Sequence, residues 1–333
     1  MKAVIPVAGI GTQLRPHTHT QPKPLIPVAG KPILGHIIDN LIDAGVTQQV
    51  FIVGYLKEKL QNYVESHYEG KIEMEFVVQE PRLGLAHALW TARDIIRKEN
   101  EIMVLLGDTI FGSDTREIAE TEGSILAVHP VDDPREFGIA MLNDAGHVVK
   151  LIEKPDIPTS NMALVGMYKI AEIDLFVDAL DSMIKEVLEP KGKAYSLTEA
   201  LMAMIQGGVQ FKSHQVQNWF DCGRKQSLLH TNRVLLGRIE DEKVKQKFRH
   251  SVIIPPVHIA EGCDIRHSII GPYVAIGENA KIHNSIVSDS ILGAYSRLES
   301  IILSGSVVGN DTSLKGRASH INIGDNTEID FTD

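Results

Sequence analysis

What the chain has little of narrows the field first. Only two of its 333 residues are cysteine, Cys222 and Cys263. Two thiols cannot build a disulfide framework or a cysteine zinc site, and they fit a reducing, cytoplasmic setting. No apolar run approaches the roughly 20 residues of a membrane span, so no membrane partner is expected. The N-terminus enters an apolar strand pattern directly, without a signal peptide. Basic residues are outnumbered, 33 Lys and Arg against 43 Asp and Glu, for a formal net charge of −10. That balance argues against nucleic acid and against anionic lipid surfaces. It leaves nucleotides open, because local cations and metal ions decide phosphate binding. The rest is ordinary: 43% apolar and 23% charged residues, in a chain long enough for one large domain or two smaller ones.

Two nucleotide-binding signatures are missing as well. GxxxxGK[ST] does not occur, and Gly9 and Gly11 are followed by Leu14 where a dinucleotide fingerprint has its third glycine. In their place stand residues 4–32, VIPVAGIGTQLRPHTHTQPKPLIPVAGKP. Val4, Ile5 and Val7 read as the first strand of a buried sheet. Ala8, Gly9, Ile10, Gly11 and Thr12 follow, and the two glycines allow a tight turn and a close approach of backbone N–H groups to a ligand. Arg15, Lys23 and Lys31 then lie on a loop stiffened by Pro16, Pro22, Pro24, Pro27 and Pro32. Strand, glycine turn and braced cations suit a polyphosphate. The plainer alternative is a Pro-rich surface loop, which has less need of several cations and such rigidity together.

Residues 1–110 alternate between strand and helix patterns. Ile33, Leu34, Ile37, Ile38, Leu41 and Ile42 have helical spacing before Gly45, and further helices are expected over 57–67 and 84–98. Apolar runs at 50–53, 76–78 and 102–106 read as strands. This predicts an α/β fold with a largely parallel sheet and helices on both faces. Ligands in such folds sit beyond the C-terminal strand ends, where Gly9, Gln79 and Asp108 fall. The Gln79 amide can donate and accept together, which suits the imide edge of a pyrimidine, with Gly84 letting backbone lie close to the base; a polar strand end before a helix cap is the alternative. Asp108 is placed to hold Mg²⁺ against phosphates, or else to cap a following helix.

Residues 123–170 are richer in strands, with a hairpin turn at 143–146 leading to Glu153 and Lys154, which alone read as a surface pair. His129, His147 and His214 sit in apolar or turn contexts that suit structural roles. Helices are expected over 173–188 and 197–205, the second opened by the capping box Ser196 to Glu199. A strand over 216–220 leads to Asp221, a metal ligand or the cap of a helix over 227–247. Lys225 fits either a phosphate contact or a solvated helix face.

Beyond a charged connector over 238–250 the composition changes. Ile276-Gly277, Leu292-Gly293, Val308-Gly309 and Ile323-Gly324 recur every 15 or 16 residues, and six residues after each aliphatic comes another: Ile282, Leu298, Leu314 and Ile329. A six-residue aliphatic period is the hexapeptide signature of a left-handed parallel β-helix, here of about four or five coils. The domains are therefore expected at 1–245 and 251–333. His258, His267, His283 and His320 have no context that marks an acyltransferase site, so homo-oligomerisation or packing is the expected role of this tail.

The motifs resemble, residue by residue, those of sugar-1-phosphate nucleotidyltransferases. The family's G-x-G-T-R-L-x-P stands here as Gly9 to Pro16, its P-K-P-L as Pro22 to Leu25, and its K-P as Lys31-Pro32. Q…G-L-A-x-A stands at Gln79 to Ala88, L-G-D-x-x-F at Leu106 to Phe111, E-K-P at Glu153 to Pro155, and W-x-D-x-G at Trp219 to Gly223. The chain is most similar to long-form glucose-1-phosphate thymidylyltransferases with a β-helix tail. With one glycine fewer in the first turn, it also resembles UTP–glucose-1-phosphate uridylyltransferases. The resemblance implies a Rossmann-like mixed sheet followed by a left-handed β-helix. It implies transfer of a nucleotide from an NTP, dTTP favoured, to a sugar 1-phosphate, glucose 1-phosphate favoured, with release of pyrophosphate. In that assignment Ala8, Gly9, Gly11, Thr12 and Gln13 cradle the triphosphate. Arg15 and Lys23 neutralise phosphate oxygens, and Asp108 and Asp221 hold Mg²⁺. Gln79 and Gly84 read the base, and Gly138, Glu153, Lys154 and Leu164 hold the sugar. Gln13 departs from the family, which has arginine there. Either Arg15 supplies the charge, or the protein is a nucleotide-sugar-binding regulator with little turnover. A bifunctional enzyme with an acyltransferase tail is the third possibility.

Overall fold

The computed structural model describes residues 1–112, 114–186, 194–238, 248, 250–316 and 321–330. The chain forms two compact units, Met1–Gly9 with Ile37–Trp219, and Ile10–His36 with Phe220–Asp333.

The first unit is built on nine strands: β1 (Lys2–Pro6), β2 (Gln48–Val53), β3 (Glu73–Val78), β4 (Ile102–Leu105), β5 (Ile125–Pro130), β6 (Gly138–Leu142), β7 (His147–Glu153), β8 (Met162–Ile170) and β9 (Phe211–Gln215). They make one sheet in the order β3-β2-β1-β4-β8-β5-β9-β7-β6. The strands β3, β2, β1 and β4 run parallel, as unbroken apolar runs such as Val50 to Val53 require when both faces are covered. The sheet turns mixed at β8, which lies antiparallel to both β4 and β5. Val4, Ile52, Val104, Leu126, Phe176 and Phe211 belong to one core around it.

The helices of this unit include α1 (Ile33–Asp43, of which residues 33–36 belong to the second unit), α2 (Lys57–Tyr68), α3 (Leu85–Thr91), α4 (Arg93–Ile96), α5 (Asp114–Glu120), α6 (Ile173–Glu186) and α7 (Leu197–Gln206). The chain leaves α1 through Gly45 at φ +79, whose N–H donates to the Ile42 carbonyl, the left-handed stop that glycine provides. The single helix expected over 84–98 is instead broken at Ala92, at φ −96 and ψ 7. There the Ala92 N–H donates to the Leu89 carbonyl three residues back, which tightens the turn, and Arg93 stacks on the Trp90 ring at 4.0 Å and donates to its carbonyl at 3.1 Å. The strand expected over 216–220 is also corrected. The sheet strand ends at Gln215 and a short strand runs Trp219–Asp221, because the buried Asp114 carboxylate accepts the Gln217 and Asn218 N–H groups between them. The hairpin turn forms as expected, with Gly146 N–H donating to the Asn143 carbonyl at 2.9 Å. Past Glu186 the expected continuation of α6 lies outside the described residues.

The second unit holds residues 10–36, helix α8 (Lys225–Arg238) and three parallel sheets of four, five and five short strands. Aliphatic residues stack through it in register. One column is Ile253, Ile270, Val287 and Leu303. A second is Ile259, Ile276, Leu292, Val308 and Ile323. The third is Ile265, Ile282, Leu298, Leu314 and Ile329. Three parallel faces around an aliphatic interior fit the left-handed β-helix that the hexapeptide period predicts. Helix α8 starts at Lys225, two residues before the expected start; the connector over 239–247 and His320 lie outside the described residues.

Candidate active site

In the first unit, the C-terminal ends of the parallel strands lie side by side. Val7 N–H donates to Ile52 and Tyr55 N–H donates to Ala8 across β1 and β2, and Gln79 N–H donates to Val53. Ala8 is buried, and Gly9 is exposed with open space where a Cβ would stand. Gln79 is 4% exposed, and its amide NH₂ donates to the Gly84 carbonyl at 2.9 Å and meets His87 Nδ1 at 3.2 Å. The amide thus fixes the following turn. Burial holds the His87 imidazole below its ordinary value. Gly84 sits at φ +108, and a Cβ there would lie 2.5 Å from the Tyr195 carbonyl oxygen; only glycine fits, because Tyr195 N–H donates to Leu83 and Ala86 N–H donates to Tyr195 on either side.

Asp108 is half-buried in the turn after β4. A short strand, Thr109–Phe111, follows it, which excludes the helix-cap alternative. Three residues assigned to the sugar meet at one point. A Cβ on Gly138 would lie 2.9 Å from Thr198 Oγ1, 3.1 Å from Leu164 Cδ1 and 3.2 Å from Glu153 Oε2. Gly138 and Glu153 are register partners across β6 and β7, and Leu164 sits where the register of β8 shifts, two residues before Gly166 at φ +91. The Thr198 hydroxyl donates to Glu153 Oε2 at 2.6 Å. Thr198 was not among the expected site residues; it stands inside the capping box of α7, and only its tertiary partner distinguishes it. Lys154 is exposed at φ +42, its N–H held by the Phe137 carbonyl. Tyr168, on β8, is buried. Burial raises its pKa, and the carboxylates of Glu153 and Asp108 raise it further.

In the second unit, Gly11 at φ +69 opens a 3₁₀ turn over Thr12–Leu14. Leu14 is 2% exposed and anchors the turn, while Thr12, Gln13 and Arg15 are exposed. A Cβ on Gly11 would lie 2.8 Å from Lys23 Cβ, so the glycine is what allows Lys23 to pack beside the turn. Lys23 itself begins a second 3₁₀ turn, Lys23–Leu25. Asp221 is half-buried, and its Oδ1 accepts the Gly223 N–H at 2.8 Å. That closes an Asx turn ahead of α8 rather than capping the helix.

Among the described residues, Asp114, Glu117 and His214 bring ligand atoms within 4.8 Å of one another. Asp114 already accepts two backbone N–H groups, which accounts for its burial. No described helix is long and apolar enough to cross a membrane.

Residues 2–237 match the nucleotidyl transferase family, and residues 243–313 match the GlmU-like C-terminal hexapeptide family. The low-salt glycan biosynthesis nucleotidyltransferase Agl11 of Haloferax volcanii is 36% identical over 74% of this chain and 68% of its own length. The bifunctional protein GlmU of Methanococcus vannielii is 36% identical over 95% of this chain and 73% of its length. Some relatives are longer still; the chain spans 61% of the GlmU of Methanocaldococcus jannaschii. A Bacillus anthracis chain assigned as a glucose-1-phosphate thymidylyltransferase, solved with a sucrose, superposes at TM-score 0.62 and 27% identity. That match covers 72% of this chain and 96% of the other. Enzymes of this kind generally use a divalent metal. With the family match spanning the sheet and both sets of expected site residues, the chain belongs to the nucleotidyl transferase family.

Proposed function

We propose that the protein joins an NTP to a sugar 1-phosphate, giving an NDP-sugar and pyrophosphate, with residues 1–245 as the transferase part and 251–333 as the β-helix part. The observation that carries the sugar half is the meeting of Gly138, Glu153, Leu164 and Thr198 at one point. A carboxylate held by a buried hydroxyl, packed close over a glycine whose missing Cβ lets the three side chains converge, suits a polyol. The sugar-phosphate oxygen attacks the α-phosphorus, the bond to the bridging oxygen breaks, and pyrophosphate leaves with the electron pair. The nucleophile is already an anion, so catalysis reduces to positioning and charge stabilisation.

Arg15 and Lys23 neutralise phosphate oxygens, Gly9, Gly11 and Thr12 offer backbone N–H groups, and Gln79 holds the Gly84 turn against the base. Asp108 and Asp221 are half-buried oxygen donors of the type that suits Mg²⁺, which when bound shields the charge on the phosphates. Exposed Gln13 offers no charge, and Arg15 two residues on takes that role. The base is thymine or uracil, which share the edge such a pocket reads. Working in the cytoplasm accords with two cysteines that form no disulfide.

The test is pyrophosphate release with Mg²⁺ across dTTP, UTP, GTP, CTP and ATP, each paired with glucose 1-phosphate or mannose 1-phosphate. Turnover is expected with dTTP or UTP and glucose 1-phosphate. Asp108→Ala and Asp221→Ala should each lower it by a factor of about several hundred or more. Silence from wild type with turnover in Gln13→Arg identifies a regulatory homologue, and silence from both overturns the assignment.

A further inference from the structure

Among the described residues, the outermost coil of the β-helix meets residues 16–21 as though they were its next coil. Within the second unit, glycines form a column along one corner of the coils. A Cβ on Gly277 would lie 2.8 Å from the Gly293 carbonyl carbon, one on Gly293 would lie 2.5 Å from that of Gly309, and one on Gly309 would lie 2.5 Å from that of Gly324. A Cβ on Gly324 would lie 3.1 Å from Pro16 Cβ. Pro16 therefore occupies the next place in the column, although it stands at the other end of the sequence.

A polar column repeats the pattern. Asn310 Oδ1 accepts the Ala294 N–H at 2.8 Å, and Asp325 Oδ1 accepts the Asn310 N–H at 2.7 Å. The other oxygen of Asp325 accepts the Thr20 hydroxyl. Two more contacts join the same edge. Asn322 Oδ1 meets Nε2 of His17, which is 6% exposed, at 2.5 Å, and Asn310 Nδ2 donates to Gln21 Oε1 at 3.4 Å. Farther along the segment, fully buried Asn232 accepts the Ala29 N–H at 2.9 Å and donates to the Tyr273 carbonyl at 3.2 Å. Residues 10–36 are thus fastened at two places, one against the last coil and one against an early coil.

Residues 16–21 directly follow Arg15, and only Pro22 separates them from Lys23. A loop of cations stabilises a transition state only if it is held, and an error of about 1 Å can cost about a hundredfold in rate. We propose that the last coil, through Asn322, Gly324 and Asp325, is the template that sets the backbone of residues 11–23. The tail then serves nucleotide transfer by positioning the phosphate loop. Asn322, Asp325, His17 and Thr20 are positioning residues in this scheme, which rests on the transferase assignment above.

The experiment uses the full chain with four variants: Thr20→Val, its conservative counterpart Thr20→Ser, Asn322→Ala, and Glu328→Ala on an exposed position of the same coil. Steady-state kinetics with the best NTP and sugar 1-phosphate are read beside amide hydrogen exchange over residues 11–26. Thr20→Val and Asn322→Ala are expected to lower kcat/KM for the NTP by about 10- to 100-fold. The KM for the sugar 1-phosphate should hold, and exchange should quicken selectively in the loop. Thr20→Ser and Glu328→Ala should behave as wild type. Unchanged kinetics and loop exchange in Thr20→Val and Asn322→Ala overturn the proposal, as does faster exchange spread evenly through the β-helix. If wild type shows no turnover, the transferase assignment falls by itself and selective loop exchange alone decides the positioning role.

Discussion

At Gly138, a hydroxyl, a methyl and a carboxylate oxygen all stand within about van der Waals reach of the missing Cβ. The residue matters through what it omits, and Thr198 matters through what it holds. Its hydroxyl is 2.6 Å from Glu153 Oε2, a bond to a charged acceptor. Losing such a bond costs about 1.5–3 kcal/mol. Thr198→Val should therefore raise the KM for sugar 1-phosphate by about tenfold or more, and leave the KM for NTP near wild type; a change confined to the NTP contradicts the assignment. That Gly9 and Asp108 follow buried strands was legible from the apolar runs before them, and that Glu153 follows a hairpin from the turn at 143–146. Thr198 was not, because a capping box explains the same residue locally and its partner lies 45 positions away. Gln79 was legible as a polar strand end, but its buried amide turns inward to Gly84 and His87.

Periodicity carried most of the elements. Apolar runs identified the parallel strands because both faces of β1 and β2 are covered, and the six-residue spacing identified the coils because each aliphatic must meet the one above. The misjudged elements were those where a side chain bonds a backbone group: Arg93 at the break between α3 and α4, and Asp114 between β9 and the strand at Trp219. No period records such bonds. The junction of loop and coil also has a pH signature. Burial holds the His17 imidazole below its ordinary value of 6.5; the Asn322 bond and the Asp325 charge oppose this, and the Lys225 charge adds to it. The unfolded chain then takes the proton first. The stability tied to His17 is present above about pH 6.5 and is lost as pH falls through the lower folded value. Between about pH 7.5 and about pH 5, wild type should lose more melting temperature than His17→Gln. Parallel slopes in the two proteins would count against a buried neutral imidazole.

On the scale of the molecule, stretches far apart in sequence make single structures. Residues 10–36 belong with residues 220–333, while residues 1–9 belong with 37–219. Sequence spacing cannot reveal this division, since the first motif reads as one continuous stretch and is shared between both units. Among the described residues, the strands Asn322–Ile323 and Glu328–Asp330 are the outermost of their parallel sheets. Outermost strands present unsatisfied N–H and C=O groups, the template on which other chains add. Pro16, His17 and Thr20 cover part of that edge, and proline brings no N–H of its own to extend the ladder. These residues thus stand where an added strand would have to pair. A protein carrying Thr20→Val and Asn322→Ala together should assemble end to end into filaments as its concentration rises, visible in light scattering, while wild type stays at a fixed size. Substrate recognition and resistance to polymerisation would then draw on the same few side chains, and selection on one would constrain the other.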